Sequence, residues 1–229
     1  MSLNYFEKTR KVKFLRRVKH AFSLPYSLLI NLQLFPFKQA ITLPIWIKYN
    51  TRVLARRGNV KVAVGKRVYL GFDDGDEDII SKRSQILISP KANLVFEGNA
   101  WLNSGINIRL DDGILRFGDN VTVNRNVAFR IANDTVIGED SMFGTDIVLR
   151  DYDGHSSESG VSKSEPIVVS KHTWIGSFSY LAKGAFSGEG SIIAAHSVVT
   201  RSSNKAKIDN VLIAGNPGVI KRKSVTWKR

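Results

Sequence analysis

The sequence predicts an all-β fold in which short strands wind into stacked, three-sided coils. From about residue 94 an aliphatic or aromatic residue returns every six positions, and a small residue tends to follow four positions later. A period of six fits neither an amphipathic helix nor an ordinary alternating strand. Successive runs begin at residues 96, 117 and 137, which is the spacing of three hexapeptides plus a short insertion in each turn.

The hexapeptide pattern is clearest after residue 175, where the chain reads IGSFSY, LAKGAF, SGEGSI and IAAHSV. Each unit supplies a short strand and a sharp corner, and three units close one coil. The large side chain points inward, so stacked coils bury a continuous apolar column that no single coil buries alone. A β-sandwich is the alternative, but its turn signals would recur about every 8–12 residues.

The charge pattern divides the chain into three parts. Residues 1–67 hold fifteen Lys/Arg and one acid, residues 68–220 hold fourteen against nineteen acids, and residues 221–229 hold five bases and no acid. We therefore expect a basic, partly helical N-terminal segment over 1–58, a β-helix domain over 59–220 and a basic tail over 221–229. The N-terminal segment suits a cap on the open coil, contact with an anionic membrane surface, or both.

Composition excludes several classes of function. The chain has no Cys, which excludes a disulfide scaffold, a thiolate metal site and a Cys nucleophile. It shows no apolar run of about 18 residues and no signal-peptide pattern, so we expect a cytoplasmic protein. The excess positive charge lies outside the repeat, which argues against a nucleic-acid binder. The acids at 73–78 lack the spacing of a calcium loop, so we expect a solvated turn and no metal site.

Three segments carry a family resemblance: HTWIGSFSYLAKGA (172–185), IIAAHSVVTR (192–201) and VLIAGNPGVIKR (211–222). Together with the hexapeptides they resemble the hexapeptide-repeat acyltransferases over about residues 60–222. The segment DYDGH (151–155) is similar to the maltose and galactoside acetyltransferase branch, which includes capsule, O-antigen and exopolysaccharide O-acetyltransferases. The resemblance implies a left-handed parallel β-helix, a homotrimer, acetyl-CoA as donor substrate and a sugar or glycan acceptor.

His155 is the candidate catalytic base. It lies in the polar interruption of the repeat at about 150–166, and function concentrates on loops held by rigid scaffolds. A neutral imidazole is a suitable base near pH 7, and the resemblance implies a catalytic His at this position. Asp153, two residues earlier, is a candidate to orient the ring or contact a sugar hydroxyl, with a corner carboxylate of no catalytic role as the alternative.

The resemblance also implies residues that bind the two substrates. Trp174 is similar to a Trp that lines the acceptor and thioester site, although it also suits core packing. The donor positions carry over onto Ser177, Ala195, Thr200, Arg201 and Arg222. Val219 stands where the family commonly has Lys or Arg, which leaves the ligands of the CoA phosphates open. Asn124 and Asn126 are candidates to contact the acceptor. We expect His172 to be structural and His196 to face solvent.

The sequence thus predicts an acetyl-CoA-dependent O-acetyltransferase acting on a sugar hydroxyl. An N-acetyltransferase acting on an amino-sugar is the alternative, because the same base would serve either acceptor. A third hypothesis, from another functional class, is a catalytically inactive β-helix that serves as a scaffold. Such a protein would not bind acetyl-CoA. The basic N-terminus suits work near lipid-linked glycan intermediates at the inner membrane face.

Overall fold

The computed structural model describes residues 21–73, 82–155 and 163–229. The described chain begins with helix α1 (21–34) and a short helix α2 (Phe37–Ala40). The remaining elements are short strands: β1 (Ile45–Ile47), β2 (Arg52–Leu54), β3 (Val60–Val62), β4 (Val68–Leu70), β5 (Gln85–Ile88), β6 (Asn93–Phe96), β7 (Ala100–Leu102), β8 (Asn107–Leu110), β9 (Ile114–Phe117), β10 (Val121–Val123), β11 (Ala128–Ile131), β12 (Thr135–Ile137), β13 (Met142–Phe143), β14 (Val148–Arg150), β15 (Ile167–Val169), β16 (Trp174–Ile175), β17 (Tyr180–Ala182), β18 (Phe186–Ser187), β19 (Ile192–Ile193), β20 (Val198–Val199), β21 (Leu212–Gly215) and β22 (Gly218–Arg222).

From β1 to β20 every third strand joins the same sheet, so the chain winds as a three-sided prism. Sheet A runs β1-β4-β7-β10-β13-β16-β19-β21-β22, sheet B runs β2-β5-β8-β11-β14-β17-β20, and sheet C runs β3-β6-β9-β12-β15-β18. All pairs are parallel except β21 with β22, which returns antiparallel. This is the left-handed parallel β-helix that the sequence predicts, with a helical segment at its start.

The interior follows the predicted six-residue pattern. The inward residues of one coil lie in register with those of the next, as Phe117 does with Phe96 in sheet C and Phe129 with Ile108 in sheet B. Phe96, Phe117 and Phe129 are fully buried, and neighbouring rings lie 5.1 and 5.5 Å apart between centroids. Each coil therefore buries its apolar side against the coil above and the coil below.

The helical segment covers the open end of the prism. Asn31 in α1 is buried and bonds to both backbone groups of Ile45, with Nδ2 donating to its carbonyl at 2.7 Å and Oδ1 accepting its N–H at 3.2 Å. Ser27 Oγ likewise donates to the carbonyl of Ile47 at 3.0 Å and accepts its N–H at 2.9 Å. These side chains satisfy the free edge of β1, which no other coil pairs.

The β-helix begins earlier than the boundary predicted at residue 59. Strand β1 pairs in register with β4, and β2 pairs with β5, so residues 45–54 already belong to the first coil. Residues 1–20, which carry most of the predicted basic amphipathic stretch, lie outside the described residues. Neither described helix is long and apolar enough to cross a membrane.

Candidate active site

The polar interruption of the repeat forms a two-limbed loop at the corner between sheets B and C. The outgoing limb leaves β14, and the returning limb enters β15. Tyr152 and Ser164 form an antiparallel bridge, and the Asp153 N–H donates to the carbonyl of Lys163 at 2.8 Å. His155 lies beyond this bridge with an exposed side chain. Residues 156–162, which include Ser156 and Glu158, lie outside the described residues.

Asp151 anchors the base of the outgoing limb from inside the prism. Its side chain is fully buried. One carboxylate oxygen accepts the N–H of Ala132 at 2.8 Å, and the other accepts the N–H of Asn133 at 3.1 Å and the hydroxyl of Thr135 at 3.2 Å. Burial raises the pKa of Asp151, and these three hydrogen bonds oppose that rise. The carboxylate thus ties the loop to the coil below it.

Two cations from the coils above hold the two limbs. Lys183, which follows β17, forms an ion pair with Asp153 on the outgoing limb. Arg201, which follows β20, forms an ion pair with Glu165 on the returning limb. The Lys183 side chain is 18% exposed and the Asp153 side chain 53% exposed, so the ion pair lies at the surface with its cation partly buried. The loop is therefore fixed from below by one carboxylate and from above by two bases.

The predicted catalytic pair does not form a direct contact. The carboxylate of Asp153 pairs with Lys183, and no described hydrogen bond joins it to His155. Asp153 therefore holds the limb that carries His155. Sequence reasoning missed Lys183 and Glu165, which sit at ordinary corner positions of the repeat with no local motif to distinguish them.

Trp174 lies on a different side of the prism from His155. It is 40% exposed on β16 in sheet A, whereas the loop leaves the corner between sheets B and C. Its closest aromatic neighbour on the outer face is Trp227 in the C-terminal tail, with 6.1 Å between ring centroids. Within one chain the structure therefore keeps Trp174 apart from the candidate base.

The C-terminal tail is held on the outer face of sheet A by His172. The His172 and Trp227 rings stack with centroids 4.1 Å apart, and Trp227 Nε1 donates to the His172 carbonyl at 3.1 Å. His172 Nδ1 lies 2.6 Å from Asp140 Oδ2, and Arg229 Nη1 lies 2.7 Å from Asp140 Oδ1. Partial burial alone would raise the pKa of Asp140, but its contacts with His172 and Arg229 outweigh burial and lower it. His172 thus has the structural position expected for it.

Four candidate binding residues lie together at the corner between sheets A and B. Asn124 and Asn126 share the coil of β10 and β11, one coil intervenes, and Ser177 and Ala195 follow on the next two coils. The coils are closely stacked, because a Cβ on Gly144 would lie 2.5 Å from Ser177 Oγ, and one on Gly176 would lie 2.4 Å from the Ala195 nitrogen. Ser177 Oγ also accepts the Thr145 N–H at 3.0 Å. His196, on the same corner, is exposed as expected and stacks on Phe178 at 4.8 Å.

The remaining donor candidates lie near the C-terminal end of the prism. Thr200 and Arg201 follow β20 on the same corner as the loop, and the Thr200 N–H donates to Ser203 Oγ at 2.9 Å. Arg222 ends β22 and is exposed. The structure therefore joins Arg201 to the His155 loop through Glu165, and places Arg222 on the antiparallel return strand of sheet A.

A cavity of the described structure lies away from the loop, and the described residues form no metal-binding cluster. Within the described ranges, no group of three or more His, Cys, Asp or Glu side chains is arranged to hold a metal ion. A cavity of about 1130 Å³ lies instead at the N-terminal end of the prism, where Leu34, Lys38, Tyr69 and Trp101 contribute to its walls. The side chain of His155 itself is exposed to solvent.

Comparisons with known proteins point to acyl transfer. The chain is 28% identical over 136 residues to a putative lipopolysaccharide biosynthesis O-acetyl transferase of Escherichia coli, WbbJ, covering 52% of this chain and 67% of that protein. It is 28% identical over 138 residues to a probable acetyltransferase of Mycobacterium tuberculosis, Rv3034c, covering 56% of this chain and 44% of that protein. No protein-family model matches the chain.

A solved structure of an acyltransferase superposes on most of the chain. The N-acyltransferase AntD from Bacillus cereus, crystallised with dTDP-4-amino-4,6-dideoxyglucose and coenzyme A, gives a TM-score of 0.48 at 12% identity and covers 79% of this chain and 80% of its own. The chain is thus similar in sequence to curated acetyltransferases, one of them named as a lipopolysaccharide biosynthesis enzyme, and its repeat fold is of the kind that the sequence resemblance implies.

Proposed function

We propose that this chain transfers an acetyl group from acetyl-CoA to a sugar hydroxyl during the synthesis of a polysaccharide. The observation that carries the proposal is the position of His155, exposed on a loop that three ionic or hydrogen-bonded anchors fix to a rigid prism. The sequence similarity to a lipopolysaccharide biosynthesis O-acetyl transferase supports the reaction and its setting.

The proposed mechanism needs one proton acceptor and two aligned substrates. A neutral His155 imidazole accepts the proton of the sugar hydroxyl as the hydroxyl oxygen attacks the thioester carbonyl. The tetrahedral intermediate then collapses, and the leaving CoA sulfur takes the proton back from the imidazolium. The anchors at Asp151, Asp153 and Glu165 limit the movement of the base, which reduces the reorganisation that transfer requires.

We assign the donor to the coils above the loop. Ser177 and Ala195 offer hydroxyl and backbone groups for the pantetheine amides, and Thr200 and Arg201 continue in the same direction along the prism. Arg201 already pairs with Glu165, so the exposed Lys221 and Arg222 are better placed to neutralise the CoA phosphates. Asn124 and Asn126 lie on coils below these positions, where we place contacts to the acceptor.

We further propose a homotrimer with the site between neighbouring subunits. His155 and Trp174 lie on different sides of the prism, so they line one site only if the loop of one subunit faces sheet A of the next. Mixing subunits tests this arrangement. His155→Ala and Trp174→Ala proteins, each weakly active, should regain activity when unfolded together and refolded as mixed trimers, whereas separate sites in each chain predict no recovery.

The proposed location is the cytoplasmic face of the membrane. Helix α1 presents Phe22 and Leu29, which are 75% and 62% exposed, beside a strongly basic N-terminal sequence. Apolar side chains next to cations favour an anionic lipid surface. Vesicles of phosphatidylglycerol should co-sediment the full chain and should retain less of a Phe22→Ser/Leu29→Ser variant, and equal retention would remove this part of the proposal.

The direct test measures thiol release from acetyl-CoA with a panel of sugars and glycans. The proposal expects acceptor-dependent release and an acetylated product that mild alkali deacetylates, because esters hydrolyse under those conditions and amides do not. An alkali-stable product would make the chain an N-acetyltransferase. An absence of acetyl-CoA binding would exclude enzymatic acetyl transfer and favour a scaffold.

A further inference from the structure

Three arginines form a column on the outer face of sheet B. Arg109 in β8, Arg130 in β11 and Arg150 in β14 occupy matching register positions on consecutive parallel strands. Neighbouring strands lie about 4.8 Å apart, so the three side chains leave the sheet directly beside one another. We call Arg109, Arg130 and Arg150 the arginine column. It ends immediately before Asp151, at the base of the His155 loop.

Such a column is unfavourable unless something compensates its charge. Like charges directly opposite each other on a sheet destabilise it. Among the described residues, the carboxylate paired with the column is Asp111, whose Oδ1 lies 3.0 Å from Arg109 Nε. Tyr152 packs beneath Arg150, with the guanidinium carbon 5.1 Å from the ring centroid, and its hydroxyl bonds to Asp111 Oδ2 at 3.3 Å. The column thus keeps an excess of positive charge in a part of the sequence, 68–220, where acids outnumber bases.

The hydrogen-bonding capacity of the column is also incompletely used. Arg130 Nη1 donates to the carbonyl and the side-chain oxygen of Asn107, both at 3.0 Å. Arg150 Nε is shielded from solvent and has no hydrogen-bond acceptor among the described residues. Burial lowers the pKa of Arg130, and the positive charges of Arg109 and Arg150 contribute to that shift. An incoming oxyanion would compensate the excess positive charge of these coupled cations through charge-assisted hydrogen bonds.

We propose that the arginine column binds the carboxylate or phosphate groups of an acidic acceptor glycan. This inference rests on the proposed acetyl transfer and specifies its acceptor class. The column runs from the loop toward the N-terminal coils, away from the coils that carry Ser177, Ala195 and Thr200. An anionic chain on the column would therefore approach His155 from the side opposite the donor. Planar guanidinium groups match the two oxygens of a carboxylate or phosphate.

The test compares charge-neutralising variants with a matched control on another sheet. Arg150→Gln and Arg109→Gln each remove one positive charge from the arginine column. Arg150→Lys keeps the charge but lacks the planar guanidinium group that can bind two oxygens at once. Arg116→Gln is the control, because Arg116 lies on the outer face of β9 in sheet C and pairs with Glu97 at 2.9 Å. Calorimetry measures binding of an oligogalacturonate, its carboxyl-reduced neutral form, inorganic phosphate, CoA and dephospho-CoA.

The proposal expects the oligogalacturonate or inorganic phosphate to bind the wild-type protein. The dissociation constant of the same ligand should be about tenfold or more higher for both Gln variants. Arg150→Lys should recover part of that loss, Arg116→Gln should bind as wild type, and the carboxyl-reduced form should not distinguish the variants. CoA affinity should stay unchanged throughout.

Three results would overturn the inference. Weaker binding of CoA but not of dephospho-CoA would assign the column to a donor phosphate. Dissociation of the oligomer in the column variants would make it a contact between subunits. If no oxyanion binds, or if binding is equal in all variants, the arginine column is not an anion site. Thiol release and donor binding test the proposed acetyl transfer separately, so its failure is distinguishable from failure of the column.

Discussion

The corner between sheets A and B and the corner between sheets B and C are built from the same hexapeptide and differ in regularity. On the A–B corner the third residue after each inward side chain has a left-handed backbone in five successive coils, namely Gly105, Asn126, Asp146, Phe178 and His196. On the B–C corner a left-handed backbone occurs at Gly113 and Gly184, and the second of the two coils between them carries the His155 loop.

The difference shows where the fold tolerates extra chain. The A–B corner is tied coil to coil by backbone bonds, as from Asn126 N–H to the Ser104 carbonyl at 3.1 Å and from His196 N–H to the Ser177 carbonyl at 3.0 Å. An insertion there would break this ladder. The B–C corner also has backbone bonds, as from Asp111 N–H to the Ile131 carbonyl at 2.8 Å. At the long loop, side-chain anchors from Asp151, Lys183 and Arg201 are added to them and fix its limbs.

The largest expected effect is on kcat, and it should differ between the histidine of the B–C corner and the histidine of the A–B corner. His155→Ala should reduce kcat by about a thousandfold, because a general base contributes about 10²–10⁴. His196→Ala removes an exposed imidazole from the regular A–B corner and should keep kcat within about twofold. Steady-state kinetics with saturating acetyl-CoA measure both. Similar losses in the two variants would mean that His155 is not the base.

Asp151→Asn should be the most destabilising change to the loop anchors. The substituted amide presents an NH₂ group to the backbone N–H of Ala132 or Asn133, which leaves a buried donor without an acceptor. That costs about 1–3 kcal/mol. Urea unfolding measures it, with Asp146→Asn on the A–B corner as the control. A loss below about 0.5 kcal/mol would show that the carboxylate does not hold the loop.

Breaking the ion pair on the outgoing limb should affect catalysis more than stability. Lys183→Ala frees Asp153 and the segment that carries His155, so kcat should fall about tenfold while the free energy of unfolding changes by less than about 1 kcal/mol. Lys171→Ala is the control, since it breaks a comparable pair with Glu189, at 3.0 Å, on the corner between sheets C and A. Equal kcat values for the two variants would contradict the anchoring role of Lys183.

The smallest expected effect concerns the C-terminal tail and pH. The pKa of Asp140 is lowered in the folded protein, so its contacts with His172 and Arg229 stabilise the fold above the unfolded pKa of about 3.9. That contribution disappears as pH falls through the lower, folded pKa. Trp227 fluorescence should report release of the tail on acidification, and Asp140→Asn should remove that transition. An acid transition that persists in the variant would assign it to another group.

Much of the fold was predictable because the six-residue period of the inward side chains is visible in the sequence. The inward residues at 96, 117, 129 and 143 were readable as one column, and the structure buries all four. The first coil was missed, since its strands β1 and β2 are only three residues long and directly follow the helical segment. The loop and its His were readable as an interruption of the pattern, whereas Lys183 and Glu165 gave no signal because their partners lie on other coils.

The sequence by itself determined the repeat, the resemblance to acyltransferases and the position of the candidate base, because each depends on short local segments of the chain. Tertiary structure decided what each polar side chain contacts. It paired Asp153 with Lys183, placed Trp174 on another side of the prism from His155, and aligned Arg109, Arg130 and Arg150 on one face. Those relations join residues about twenty or more positions apart, and they exist only once the coils stack in register.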